Sequence, residues 1–264
     1  ALRSIPAKRS DETNYFFFET VDGHRFVTLS QLCSEESIIT YFQIPVGFRG
    51  GDSDNMSRNF SNVKDVRLIK VNQKLQEHMD GAFSSVLYQH DVTTKQWGRK
   101  VYNYNTDTGV RHITDNRVTK NDSIYTTTPD INFNLTTKQT GLMGGDYPNV
   151  QNHEDWFQRS LSEKSLLDTI KIRIQVAGNS LLRVGRVVEF FTPKAAALKT
   201  SDTEWYDSRL SGKYLVTTLR HTLSPDGYTN TMILAKNSYE VSLADQSTFM
   251  GTSKQSESNL VEKR

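Results

Sequence analysis

The sequence predicts a mainly β chain of the α+β class, and three observations carry that reading. Residues 170–176 alternate strictly between apolar and polar side chains, β-rich runs recur at 181–190 and 213–221, and one segment alone, after Asn152, carries strong helix signals. A period of two over seven residues marks a half-buried strand, because successive side chains point to opposite faces of a sheet. Ile170, Ile172, Ile174 and Val176 are therefore assigned to a core. Lys171, Arg173 and Gln175 then face water, a partner subunit or a channel.

The other elements follow in chain order. The aromatic and β-branched runs 15–20 and 25–29 flank Asp22-Gly23, and an Asp-Gly pair in that setting signals a hairpin. A short helix or loop starts at Ser30, and residues 38–42 fit either a helix or a strand. Residues 45–62, with Pro45 and four polar positions after Gly51, read as an exposed loop. Val66, Leu68 and Lys70 alternate as a strand, whereas 71–79 suits a helix ending at Gly81. Residues 82–90 and 98–104 are strands of a meander. The stretch 105–147 is rich in Thr, Asn, Asp and Gly, and is expected to be a surface excursion that orders against a neighbour. Asn152 is the expected N-cap of the helix, with Glu154 and Asp155 in its first turn and Trp156, Phe157, Ser160, Leu161 and Lys164 along one side. After it, 193–210 is a polar insertion, Pro225-Asp226-Gly227 turns a second hairpin, and 244–264 is a flexible tail.

Composition narrows the functional classes. The chain has 264 residues, enough for one large or two ordinary domains. Its 32 basic and 30 acidic residues leave a net charge of +2, without the global field of a dedicated nucleic-acid binder. Cys33 is the single cysteine, which excludes an intrachain disulfide framework and multi-cysteine metal sites and fits assembly in a cytoplasm. No run approaches the roughly 18 to 20 apolar residues of a membrane-spanning helix. Four Asn-x-Ser/Thr triplets, at Asn55, Asn59, Asn121 and Asn134, read as chance occurrences.

No catalytic, cofactor or metal residue is assigned. The six histidines lack ligand spacing. Asp52 and Asp54 open like a calcium loop, but Ser57 stands where glycine is needed and Val63 where the bidentate Glu belongs. The glycines at 47, 50 and 51 lack the Gly-Lys-Ser/Thr ending of a phosphate loop, and no serine sits in a Gly-x-Ser-x-Gly elbow. Glu35-Glu36 and Glu154-Asp155 are adjacent in sequence rather than facing, as solvated carboxylates are. Basic residues, by contrast, gather on the C-terminal strands: Lys171, Arg173, Arg183, Arg186, Arg220 and Lys236. They form either a solvated face or a cationic surface lining a passage or meeting an acidic neighbour.

The succession from Ile170 through Gly178-Asn179 and Leu182-x-Val184-Gly185 to Val188-x-Phe190, then 212–216, Arg220-His221 and 228–238, resembles the C-terminal tube barrel of baseplate hub proteins from contractile-tailed phages. Related barrels occur in the spike proteins of type VI secretion systems. The phrase Leu182-x-Val184-Gly185 reads as the return of a barrel strand, and the hairpin at 15–26 also resembles these hubs. The likeness covers 12–32 and 150–243, with a weaker part at 81–104.

The resemblance implies structural work without catalysis or cofactor. It implies a homotrimer whose barrels form a pseudo-sixfold ring, adapting the tail tube to the central spike and leaving a passage for DNA. The implied partners are the tail tube ring, the spike, and baseplate wedge or hub proteins, with no stable membrane association. The implied place is the virion's tail baseplate, assembled in the host cytoplasm. Lys171, Arg173, Gln175, Arg183 and Arg186 become the candidate lumen or subunit-interface face.

On this reading 1–104 is a mixed α+β middle domain with an N-terminal hairpin, 105–150 a long polar excursion, 151–243 a helix followed by an antiparallel tube-type β-barrel, and 244–264 the tail. The chain begins without Met and lacks the first barrel that such hubs carry, so it is expected to be the C-terminal portion of a hub, or one part of a split or cleaved one. Two alternatives stay open. One is a cell-wall-degrading enzyme associated with the baseplate, its site in loop 45–62; the other is a peripheral β-barrel receptor-binding module.

Overall fold

The alternating strand lies near the middle of the largest sheet. A computed structural model of the chain describes residues 14–44, 60–71, 74–104, 113, 133–138, 153–194, 206–207 and 209–237. Within it β8 (Ile170–Ala177) buries its three isoleucines and Val176 completely, while Lys171, Arg173 and Gln175 take the other face. Antiparallel β11 (Gly227–Lys236) pairs Leu234 with Ile172 and Met232 with Ile174 on the buried face. The full order is β3 (Ser37–Phe42), β9 (Val187–Phe191), β10 (Gly212–Ser224), β11, β8 and β4 (Val63–Val71). Hence the chain is mainly β and α+β. The largest sheet is mixed rather than purely antiparallel, since β3 runs parallel to β9.

The curl of this sheet brings its two edges together at one end only. Phe42 and Asn62 form a single parallel bridge, and the Ile44 N–H donates to Asn62 Oδ1 at 3.4 Å. The result is a half-barrel whose concave side is packed with side chains: Tyr41, Val63, Leu182, Phe190, Tyr214 and Val216 join the β8 and β11 residues in one core. Small barrels are filled in this way rather than hollow.

Tyr41 is completely buried, and its hydroxyl has no hydrogen-bond partner among the described residues. Desolvation pushes its pKa up to about 12. Because the folded pKa lies above the unfolded one, the stabilisation is complete below pH 10 and is lost as pH rises towards 12. Tyr41→Phe is expected to hold or slightly raise stability at neutral pH and to flatten that alkaline loss, measured by urea titrations from pH 8 to 12.

The convex face is partly covered. The hairpin of β1 (Tyr15–Thr20) and β2 (Gly23–Thr28) turns at Gly23, whose φ of 118° suits glycine. Thr28 then caps α1 (Leu29–Ser34) by accepting the Gln31 N–H at 3.2 Å. Phe16, Phe18, Val27, Leu29 and Leu32 pack on Val187 and Leu215, forming a second core outside the half-barrel. Residues 180–186 are a loop rather than the predicted start of a strand. Gly185, at φ 81°, turns the chain there and brings it beneath Phe18.

A separate sheet of order β6-β5-β7 completes the fold. Here β5 (Ser84–Asp91) pairs antiparallel with β6 (Trp97–Asn103) and parallel with β7 (Phe133–Lys138). Thus part of the expected excursion is a strand of the chain's own sheet, and Ile113 is buried in the second core. Most of 105–150, all of 244–264, Asn152 and most of loop 45–62 lie outside the described residues.

The region 63–79 holds both readings in succession, β4 and then α2 (Lys74–Met79). The long helix α3 (His153–Leu167) follows the helix signals, but its buried side differs from the expected aromatic stripe. Gln158, Ser160, Ser162, Glu163 and Leu166 are buried with Trp156, whereas Lys164 is exposed. Hydrogen bonds compensate the polar burial. Gln158 Nε2 donates to the Ser85 carbonyl at 2.8 Å, Ser162 Oγ donates to the Ala82 carbonyl, and Asn14 joins Glu163 and Ser160 at 2.6 Å each.

Candidate functional site

Cross-strand register assembles the polar face of β8 into three rows on the convex side of the sheet. Arg67 lies opposite Arg173, which lies opposite Ile233 and then Thr218. Asp65, Gln175, Thr231 and Arg220 form the second row, and Lys70, Lys171, Ala235 and Leu215 the third. Directly opposed side chains in antiparallel strands share a face, so Arg67, Arg173, Lys171 and Arg220 make one cationic surface. Two bulges in β4, between Val63 and Asp65 and between Leu68 and Lys70, keep its basic residues in step with β8.

Acidic neighbours temper this surface without covering it. Arg67 Nε lies 3.0 Å from Asp65, and Lys171 Nζ lies 2.9 Å from Asp168. These are solvent-facing pairs worth little each, and added salt weakens them further. Arg173 is exposed at the centre. At the Ala235–Leu215 end the same face disappears beneath α1 and the hairpin.

Arg183 and Arg186 are placed elsewhere. Both belong to the loop before β9 and reach the N-terminal hairpin: Arg183 Nε donates to Asp22 at 3.1 Å, and Arg186 Nη1 to Glu35 Oε2 at 3.3 Å. Glu35 Oε1 simultaneously accepts from Arg25 at 2.6 Å. These two arginines therefore tie the hairpin and α1 to the half-barrel, and the five candidate residues divide into a sheet surface and an intramolecular clamp. Arg67 is the surface residue that sequence alternation alone could not place, because its register with Arg173 depends on a strand pairing about 100 residues long in sequence separation.

Among the described residues, no three His, Cys, Asp or Glu side chains converge as a metal ion needs.

Comparison with known proteins adds a sequence relative. The chain is 23% identical over 249 residues to a probable baseplate hub protein of Vibrio phage KVP40, covering 90% of this chain and 56% of that protein. The likeness to baseplate hub proteins read from the strand motifs thus extends along most of the chain. No family model matches. Among solved structures, the tail protein of Neisseria meningitidis MC58 aligns with a TM-score of 0.41 and 12% identity, covering 84% of this chain and 50% of that one. The 43 kDa tail protein of prophage MuSo2 from Shewanella oneidensis aligns with a TM-score of 0.39 and 10% identity over 84% of this chain and 51% of its own. This chain spans about half the length of each of these proteins.

Proposed function

We propose that the chain is a structural component of a phage tail baseplate hub. The observation that carries this reading is the likeness to a probable baseplate hub protein along 90% of the chain. On this reading three copies form a pseudo-sixfold ring in the virion's baseplate, assembled in the host cytoplasm, that joins the tail tube to the central spike and to other hub or wedge proteins. The work is mechanical rather than enzymatic.

The packed half-barrel constrains where DNA passes. Its concave side is a core of Ile, Leu, Tyr and Phe side chains, so a passage runs between copies and not through one. The convex surface of Arg67, Lys171, Arg173 and Gln175 is the polar face of that sheet and is assigned to the bore or to a neighbouring subunit. Arg183 and Arg186 support the same surface indirectly by holding the hairpin. The 1–104, 105–150, 151–243 division remains part of this reading, with β3 and β4 of the first segment contributing edge strands to the sheet of the third.

Light scattering of the chain alone should give three chain masses, and of its complex with spike and tube partners, where assembly needs them, three copies of the chain per particle. In that trimer Arg67→Glu with Arg173→Glu is expected to change either assembly or DNA passage while leaving the fold intact, because both side chains are exposed. A chain that stays monomeric with those partners present overturns the hub reading.

A further inference from the structure

We propose that the open face of the β6-β5-β7 sheet binds single-stranded nucleic acid, with bases stacked on Trp97 and Tyr88. The inference does not rest on the hub reading. Successive residues of each strand point to opposite faces of this sheet. Ser85, Leu87 and Tyr102 are buried on the face that meets α3, where Gln158 donates to the Ser85 carbonyl and to Ser85 Oγ. The other face carries Tyr88 and His90 from β5, Trp97, Arg99 and Val101 from β6, and Leu135 from β7. Apart from His90, all of these are exposed.

A contiguous exposed patch of large apolar side chains marks an interaction surface. Trp97 is its most open member. Its indole rests on His90, directly opposite on β5, with centroids 4.5 Å apart, yet Trp97 is 66% exposed. One side of the ring is held and the other is open, so stacking a base on it costs little side-chain ordering. Tyr88 lies one strand over and one row along the same face, a diagonal of about 7 to 8 Å. Two rings on neighbouring strands at that spacing can each take one of two splayed bases, which is how sheet-face modules hold single strands.

Charge selects this ligand over an apolar partner. Arg99 stands at the centre of the patch, opposite Tyr88 and between Trp97 and Val101 along β6. An apolar surface docked there would strip water from the guanidinium without replacing its hydrogen bonds, whereas a phosphate accepts them. Lys95 in the turn and Lys100 on the edge strand are exposed close by. No Asp or Glu is among the described side chains of this face. Asp91, the one carboxylate of the β5–β6 hairpin, takes the opposite face and accepts the Thr93 and Thr94 N–H groups at 2.9 and 3.2 Å.

The net charge of +2 supplies no long-range pull, so stacking carries the affinity and the salt dependence is shallow. One or two neutralised phosphates give a slope of log K against log salt of about −0.7 to −1.4. Val101 and Leu135 flank the rings and offer apolar contact to the sugars. A duplex hides the faces of its bases and cannot use Trp97 and Tyr88 in this way.

The test titrates the intact chain with labelled octanucleotides, oligo(dT) and oligo(U), and with a stably paired DNA duplex, read by fluorescence anisotropy. At least one single strand should bind saturably in the micromolar to millimolar range, and the tighter of the two names the sugar. The duplex should bind about tenfold more weakly or less. Trp97→Ala and Tyr88→Ala should each weaken single-strand binding by about fivefold or more, with Trp97→Phe close to the parent. Arg99→Gln should weaken it and make the salt slope shallower by about 0.7. Arg67→Glu with Arg173→Glu, on the half-barrel, should leave it within about twofold of the parent, which separates this face from the cationic surface of the hub reading. All of these side chains are exposed, so thermal melting should stay near the parent's. The inference is overturned if neither single strand binds the folded chain, if the duplex binds as tightly, or if both ring variants bind as the parent does. It is equally overturned if Trp97→Ala instead breaks up an oligomer of this chain, which would make the face a protein interface.

Discussion

Ile174→Ala is expected to lower the unfolding free energy by about 2 to 5 kcal/mol, whereas Arg173→Ala, one residue away, should change it by about 0.5 kcal/mol or less. Ile174 is completely buried, opposite Met232 on β11 and Val66 on β4, in the middle of the packed concave face. Removing three carbons there forfeits their transfer from water and leaves a void that flanking strands on both sides prevent from closing. Arg173 faces the opposite way and is exposed. Domains commonly hold only about 5 to 15 kcal/mol in total, so the first change consumes a large share. Urea unfolding monitored by circular dichroism measures both. Equal losses at the two positions would mean that the alternation does not divide a core from an open face.

That contrast between neighbours was readable from 170–176 because strand periodicity is local. The two hairpins were readable for the same reason: Asp22-Gly23 and Pro225-Asp226-Gly227 sit between β-forming runs, and both become the turns of paired strands. Periodicity says which way a side chain points but not which strand lies beside it. So the joining of β3 and β4 to the C-terminal strands, and the parallel β3–β9 pairing, were not legible. They depend on complementarity between segments far apart in the chain, such as Ser37 and Thr40 donating to the two oxygens of Glu189 at 3.0 and 3.1 Å.

The helix is legible in the sequence, but its buried face is not, for a different physical reason. Apolar spacing points to Trp156, Phe157 and Leu161, while much of the actual contact is polar, with Gln158 and Ser162 satisfying backbone carbonyls of the neighbouring segment. For the candidate surface, alternation puts Lys171, Arg173 and Gln175 on one face of β8, as the strand does. It had no purchase on Arg183 and Arg186, which lie in a loop, and their carboxylate partners Asp22 and Glu35 are some 150 residues earlier in the chain.

Gly185→Val should destabilise the chain by about 2 to 5 kcal/mol and loosen the N-terminal hairpin first, through two separable effects. The backbone at Gly185 has φ 81°, a region that β-branched residues enter only with strain. Independently, a Cβ there would lie 2.7 Å from Phe18 Cζ and 3.3 Å from Leu32 Cδ2. An apolar cavity of about 200 Å³ borders Gly185, but the ring and the leucine stand between it and the new side chain's first atom. Relief therefore requires Phe18 to move, and with it the strand that carries the second core. The Arg183–Asp22 and Arg186–Glu35 contacts lie on the same loop and would shift together. Limited proteolysis should consequently cut within 14–35 before the half-barrel opens. Adding Phe18→Ala to Gly185→Val should recover the steric part but not the backbone part, while Phe18→Ala alone exacts its own loss of buried ring. Full recovery in the double variant would show that only space matters at this turn; no recovery would assign the whole cost to the left-handed backbone.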